Sequence, residues 1–94
     1  MSEMFAHVTI RILEKEYHVA CPAEVVDAAT VRSALDAYFE RHPLVRSYVL
    51  DEQGGLRRHV TVFIDGRQLK DRSGLSEIVA PSSEIFVMQA LSGG

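Results

Sequence analysis

The sequence predicts an α+β fold, a mixed sheet of about five strands with one main helix packed across one face. Three observations carry that prediction. Apolar residues alternate around positions 8–12, 60–64 and 85–88, the period of half-buried strands. One intervening segment switches to helical spacing. Asp65-Gly66 then marks a tight turn between two strand-like runs.

From His7 to Leu13, Val8, Ile10 and Ile12 share one face and Thr9 and Arg11 the other, which reads as the first strand. After the polar break Glu14-Lys15-Glu16, Tyr17-His18-Val19-Ala20 reads as a short returning strand. Pro22, lacking a backbone donor, is expected to end that pairing. Val31, Ala34, Leu35, Tyr38 and Phe39 form the stripe of an amphipathic helix. Thr30 suits its N-cap, and His42 before Pro43 should close it.

Leu44 to Leu50 reads as a short helical turn that tucks Leu44 and Val45 or Tyr48 under the core. Asp51 to Gly55 is a loop by composition. Val60, Val62 and Ile64 alternate with His59, Thr61 and Phe63 as a third strand, and Arg67-Gln68-Leu69 pairs back after the turn. Leu75, Ile78 and Val79 suggest one helical turn after Ser73-Gly74. Glu84 to Gln89 is the last strand, with Ile85 and Val87 facing in and Phe86 and Met88 facing out. The order β-β-α-β-β-(short helix)-β, with the first and last strands central, is that of a β-grasp.

The 94 residues suit a single domain spanning 1–94, with a flexible tail from Ala90 to Gly94. With 47% apolar and 24% charged residues, the composition is that of an ordinary soluble domain. A net charge of −3 has the wrong sign for a nucleic-acid binder. The N-terminus lacks the basic and apolar regions of a secretory signal, and no apolar run reaches membrane-spanning length. The lone Cys21 fits a reducing compartment, so the cytoplasm is the default.

The run Phe63-Ile64-Asp65-Gly66-Arg67-Gln68-Leu69-Lys70-Asp71, then Leu75-Ser76, Ile85-Phe86-Val87 and Gly93-Gly94, resembles ubiquitin in order and spacing. From Val8 to Gly94 the chain is similar to the bacterial sulfur-carrier proteins of the ubiquitin-like β-grasp fold (MoaD/ThiS/CysO-like). These are the small subunit of molybdopterin synthase, the thiamine-pathway carrier and the carrier of a cysteine-synthesis route. The points of likeness are Val8-x-Ile10-x-Ile12, Thr30-Val31, Gly54-Gly55-Leu56-Arg57 and Val60-Thr61-Val62-Phe63-Ile64.

That resemblance implies a defined chemistry. A ThiF/MoeB-like adenylating enzyme uses ATP to convert the Gly94 carboxylate into an acyl-adenylate. A sulfur donor, a sulfurtransferase or persulfide, then displaces AMP and leaves a thiocarboxylate. A downstream biosynthetic enzyme accepts the sulfur. The carrier has no catalytic residue and binds no cofactor of its own. Gly94 is the attachment point, and Gly93, Ser92 and Leu91 are the tail that presents it. Two glycines make that tail narrow, and five residues past the last strand reach about 15 Å. Ubiquitin's tail carries arginines, whereas Ala90-Leu91-Ser92 is uncharged, which favours the sulfur carrier over a conjugated modifier.

On the open face the pleat groups Thr61, Phe63, Phe86 and Met88, an apolar patch of the kind that marks a partner site. Arg58, Arg67 and Lys70 are expected to rim it. The alternative is a covered face, packed under the loop from Leu44 to Gly55. His7, His18, His42 and His59 lack metal-ligand spacing, and one cysteine cannot complete a zinc site. No Gly-rich phosphate loop precedes a helix, so ATP belongs to the activating partner. Three functions remain: a sulfur carrier, a protein modifier joined through Gly94, and an interaction module with an inert tail.

Overall fold

The computed structural model describes residues 6–12 and 21–89. Strands β1 (Ala6–Ile12), β2 (Glu24–Ala28), β3 (Val60–Ile64), β4 (Arg67–Gln68) and β5 (Glu84–Gln89) form one sheet in the order β2-β1-β5-β3-β4. β1 and β5 run parallel and the other pairs antiparallel, so the sheet is mixed. As the alternation predicts, β1 and β5 lie inside the sheet. Val8, Ile10, Val62, Ile64, Ile85 and Val87 are all buried on its inner face.

Helix α1 (Val31–Arg41) packs on that face through Val31, Ala34, Leu35, Tyr38 and Phe39, the five residues of its apolar stripe. Its start is closed reciprocally. The Thr30 hydroxyl accepts the Ser33 amide at 3.2 Å, and the Ser33 hydroxyl accepts the Thr30 amide at 3.1 Å. Fully burying a side chain such as Val31 or Leu35 stabilises the fold by about 1.5–3 kcal/mol over leaving it exposed.

Three local expectations are corrected. Antiparallel pairing with β1 is made by Glu24–Ala28, after Pro22, so Pro22 does not end it. Pro22 instead uses its carbonyl, which accepts the Tyr38 hydroxyl at 2.7 Å. Tyr17 to Ala20 lies outside the described residues. Helix α2 (Pro43–Val49) buries Val45 and Val49, one turn apart, with Tyr48 packed against the core. Leu44, about 100° away around the helix from Val45, is 70% exposed instead of tucked in.

The segment after Ser73-Gly74 is not helical. The Leu75 amide donates to the Asp71 carbonyl at 2.9 Å, closing a single turn. Leu75 then adopts a left-handed φ of +54°, which ends the turn. Beyond it the chain extends, so that the Leu75 and Glu77 carbonyls accept the Arg32 and Val31 amides at the start of α1, each at 2.9 Å. Those donors have no partner inside the helix. Ile78 bridges Thr30 and is 77% exposed. The turn between β3 and β4 holds as read: Asp65 (φ +51°) and Gly66 (φ +89°) are both left-handed, which a two-residue hairpin of this kind requires.

Candidate functional site

β5 ends at Gln89, whose backbone pairs with Val60 at the start of β3. The expected reactive residue Gly94 and its tail partners Gly93, Ser92 and Leu91 lie outside the described residues. The point from which they depart is defined: an interior strand, at the end of the sheet where β3 begins.

On the open face, register places Phe63 opposite Phe86 and Thr61 opposite Met88. All four side chains are half-buried. Directly opposed residues lie about 4.5–5.5 Å apart at Cβ, so the pairs share one continuous strip. Phe63, Gly66, Glu84, Phe86 and Met88 line an open depression of about 370 Å³. The segment from Leu44 to Gly55 contributes nothing to that lining. Gly54 and Gly55 instead sit against Arg32 of α1 and the backbone at Arg72 and Ser73. Arg11, paired in register with Phe86, and Glu84 border the strip with an Nε–Oε2 separation of 3.9 Å. Neither belongs to the patch expected from the sequence, although the alternation of β1 and β5 assigns both to this face.

The expected basic rim separates into unlike parts. Arg58 is exposed in the turn that precedes β3, and Lys70 is exposed beyond β4. Arg67 is occupied by Glu77 at 3.3 Å. The Glu77 carboxylate sits below its ordinary range chiefly because the Lys70 amide donates to it, at 2.6 Å. The Asp71 carboxylate is lowered first by the Ser76 hydroxyl and then by the Gly74 and Ser76 amides. Glu24 is lowered by hydrogen bonds from His42 and then Arg41, at 2.7 and 2.8 Å. Each of these carboxylates braces a loop or joins α1 to β2, and none faces the apolar strip. Among the described residues no three His, Cys, Asp or Glu side chains converge as a metal site. No helix among them is long and apolar enough to cross a membrane.

A mixed sheet that grips one helix and leaves an apolar strip on its other face defines a ubiquitin-like protein. No protein-family model matches the chain. Small archaeal modifier protein 1 of Haloferax volcanii is 35% identical over 66 residues, covering 70% of this chain and 71% of that protein. Its crystal structure superposes with a TM-score of 0.78 at 29% identity, covering 95% of this chain and 100% of that one. A chain in the Amycolatopsis orientalis BexX/CysO complex shares the fold, with a TM-score of 0.73 at 22% identity and 93% and 99% of the two chains covered. Urm1 from Trypanosoma brucei does so at 0.63 and 14%, covering 99% and 100%. The chain belongs to the ubiquitin-like β-grasp family of sulfur carriers and protein modifiers.

Proposed function

We propose that the protein is a sulfur carrier whose working group is the carboxylate of Gly94. A ThiF/MoeB-like adenylating enzyme joins that carboxylate to AMP at the expense of ATP, releasing pyrophosphate. The outer sulfur of a persulfide displaces AMP, and a thiol cleaves the resulting S–S bond to leave the thiocarboxylate. A biosynthetic enzyme then takes the sulfur and returns the carboxylate. The carrier contributes presentation and docking: Leu91 to Gly94 reach into the partner's site while Phe63, Phe86, Met88, Thr61 and Arg58 dock outside it.

The observation that carries this reading is the placement of Gly93-Gly94 four and five residues beyond Gln89, on a fold of this family. A second reading, conjugation of Gly94 to lysines of target proteins, is favoured by the name of the Haloferax relative, a modifier protein. Both begin with the same adenylation. Intact mass of the untagged protein from its native host, with thiol-specific alkylation, separates them. An exchange of oxygen for sulfur localised to Gly94 is expected. A plain carboxylate under sulfur-replete conditions, together with tail-dependent adducts of higher mass, would establish the modifier instead.

A further inference from the structure

The arginines of this acidic chain divide by what they face. Arg11, Arg41 and Arg67 each lie opposite a carboxylate, of Glu84, Glu24 and Glu77. Arg32, Arg46, Arg57, Arg58 and Arg72 face none within ion-pair distance among the described residues; Arg32 is held by the Ser73 and Gly74 carbonyls, and the other four lie on the segments that meet where β3 begins. The Arg72 guanidinium donates to the carbonyls of Val60 and Arg57, both at 2.8 Å. Arg57 Nε donates to the Ser47 carbonyl at 2.6 Å, next to Arg46 on α2. The Val60 amide donates to the Arg57 carbonyl at 3.0 Å, closing a turn that holds Arg58 and His59 at its corner. Carbonyl bonds hold the Arg57 and Arg72 guanidinium groups in place without neutralising them. No Asp or Glu occurs from Leu56 to Ile64 or from Ile85 to Gly94.

Val60 is the register partner of Gln89. Among the described residues, Arg57, Arg58 and Arg72 therefore lie beside the point from which the tail departs, with Arg46 one residue from the Ser47 carbonyl that Arg57 reaches. We infer that Arg46, Arg57, Arg58 and Arg72 form a cationic collar that seats against an acidic rim, rich in Asp and Glu, around the cleft of the protein that receives the tail. The inference rests on the carrier reading and adds the chemistry of the partner's surface. A tail of about 15 Å that enters a cleft to its end brings the surface at its base against the mouth of that cleft. The Arg57 and Arg72 guanidinium groups, already held by carbonyl bonds, lose little side-chain freedom when they meet carboxylates. An extended polyanion such as nucleic acid is disfavoured by the net charge of −3 on the whole chain.

Charges at the rim of an interface act mainly on encounter, and their effect falls with salt. The test is ATP–pyrophosphate exchange by the purified adenylating enzyme of the same host, with this chain as the titrated substrate. Arg46→Glu with Arg58→Glu is the informative pair, because neither side chain makes a bond among the described residues and the fold should survive; circular dichroism checks this. We expect KM to rise about tenfold or more with kcat unchanged. Raising NaCl from about 50 to about 500 mM should raise KM for the unaltered chain, but not for the pair. The single Arg58→Gln variant should show a smaller rise in the same direction. An unchanged KM, or a loss confined to kcat, would overturn the collar and leave the carrier reading standing. No exchange with the unaltered chain would overturn that reading and the collar with it.

Discussion

The two faces of the sheet are built from the same strands and differ in what their side chains are for. On the inner face of β5, Ile85 and Val87 have no exposed surface. On the outer face of the same strand, Phe86 and Met88 are half-buried, with no helix over them among the described residues. A fold selected for stability alone would carry Thr or Lys at the outer positions, since strand residues there need only suit a pleated, solvated surface. Large apolar groups on that face are surplus to the core. On the docking proposed above, a partner covers them.

The largest expected effect tests the division directly. Ile85→Ala should destabilise the protein by about 2–5 kcal/mol, through lost transfer energy and a cavity beneath α1. Phe86→Ala, one residue along, should cost about 1 kcal/mol, since a half-buried ring loses only part of its transfer energy. Urea unfolding at constant m-value measures both. Equal losses would mean that the open face belongs to the core and that no docking surplus exists.

The next effect reverses the roles. Phe63→Asp should leave the unfolding midpoint within about 1 kcal/mol of the unaltered protein. The same change should raise KM in the adenylation assay at least about thirty-fold, because an apolar anchor at the centre of an interface contributes about 2 kcal/mol or more. Unaltered KM would remove Phe63 from the docking surface and leave the tail as the sole determinant.

This division was largely legible before any coordinates. The inner and outer assignments of Ile10, Val62, Phe63, Ile85 and Phe86 follow from period alone, because one buried face fixes the register of a strand. The stripe of α1 and its end before Pro43 were legible for the same reason. What escaped depends on contacts distant in sequence. β2 carries Val25 outward at 56% exposure beside an inward Val26, so its apolar alternation is blurred and does not mark it as a strand in the sequence. The extended run after Leu75 is set by the unpaired amides of α1 more than forty residues away, which no local window contains. The arginine collar escaped for a similar reason. Arg57-Arg58 is visible as a pair, but Arg72 joins it only through the carbonyls of Arg57 and Val60, and Arg46 comes near only because Arg57 reaches the Ser47 carbonyl beside it.

A smaller effect belongs to the helix that covers the inner face. Removing the Thr30 hydroxyl by Thr30→Ala should cost about 1 kcal/mol. Ser33→Ala should cost a similar amount, since each hydroxyl accepts the other residue's amide. Because the two bonds form one device, the double variant should lose less than the sum of the singles. Additive losses would mean that the Leu75 and Glu77 carbonyls alone secure this helix start. Neither change touches the open face, so KM for adenylation should not move.

The smallest effect concerns the carboxylates that brace the edges of the sheet. Glu24 has its folded pKa lowered from an ordinary value of 4.5 by His42 and then Arg41. In that range the native state binds fewer protons than the unfolded chain, so this contribution to stability rises with pH. It is present above about pH 4.5 and lost as the pH falls through the lower folded value. Asp71 and Glu77 are shifted in the same direction by amide and hydroxyl donors, and they add to the same acid limb. Melting temperature should therefore fall as the pH drops from 5 toward 3. Glu24→Gln should flatten part of that slope, and the gain should be modest because solvent screens pairs this close to the surface. A slope that Glu24→Gln leaves unchanged would assign the acid limb to Asp71 and Glu77. The bond between α1 and β2 would then count as geometry with no measurable share in stability.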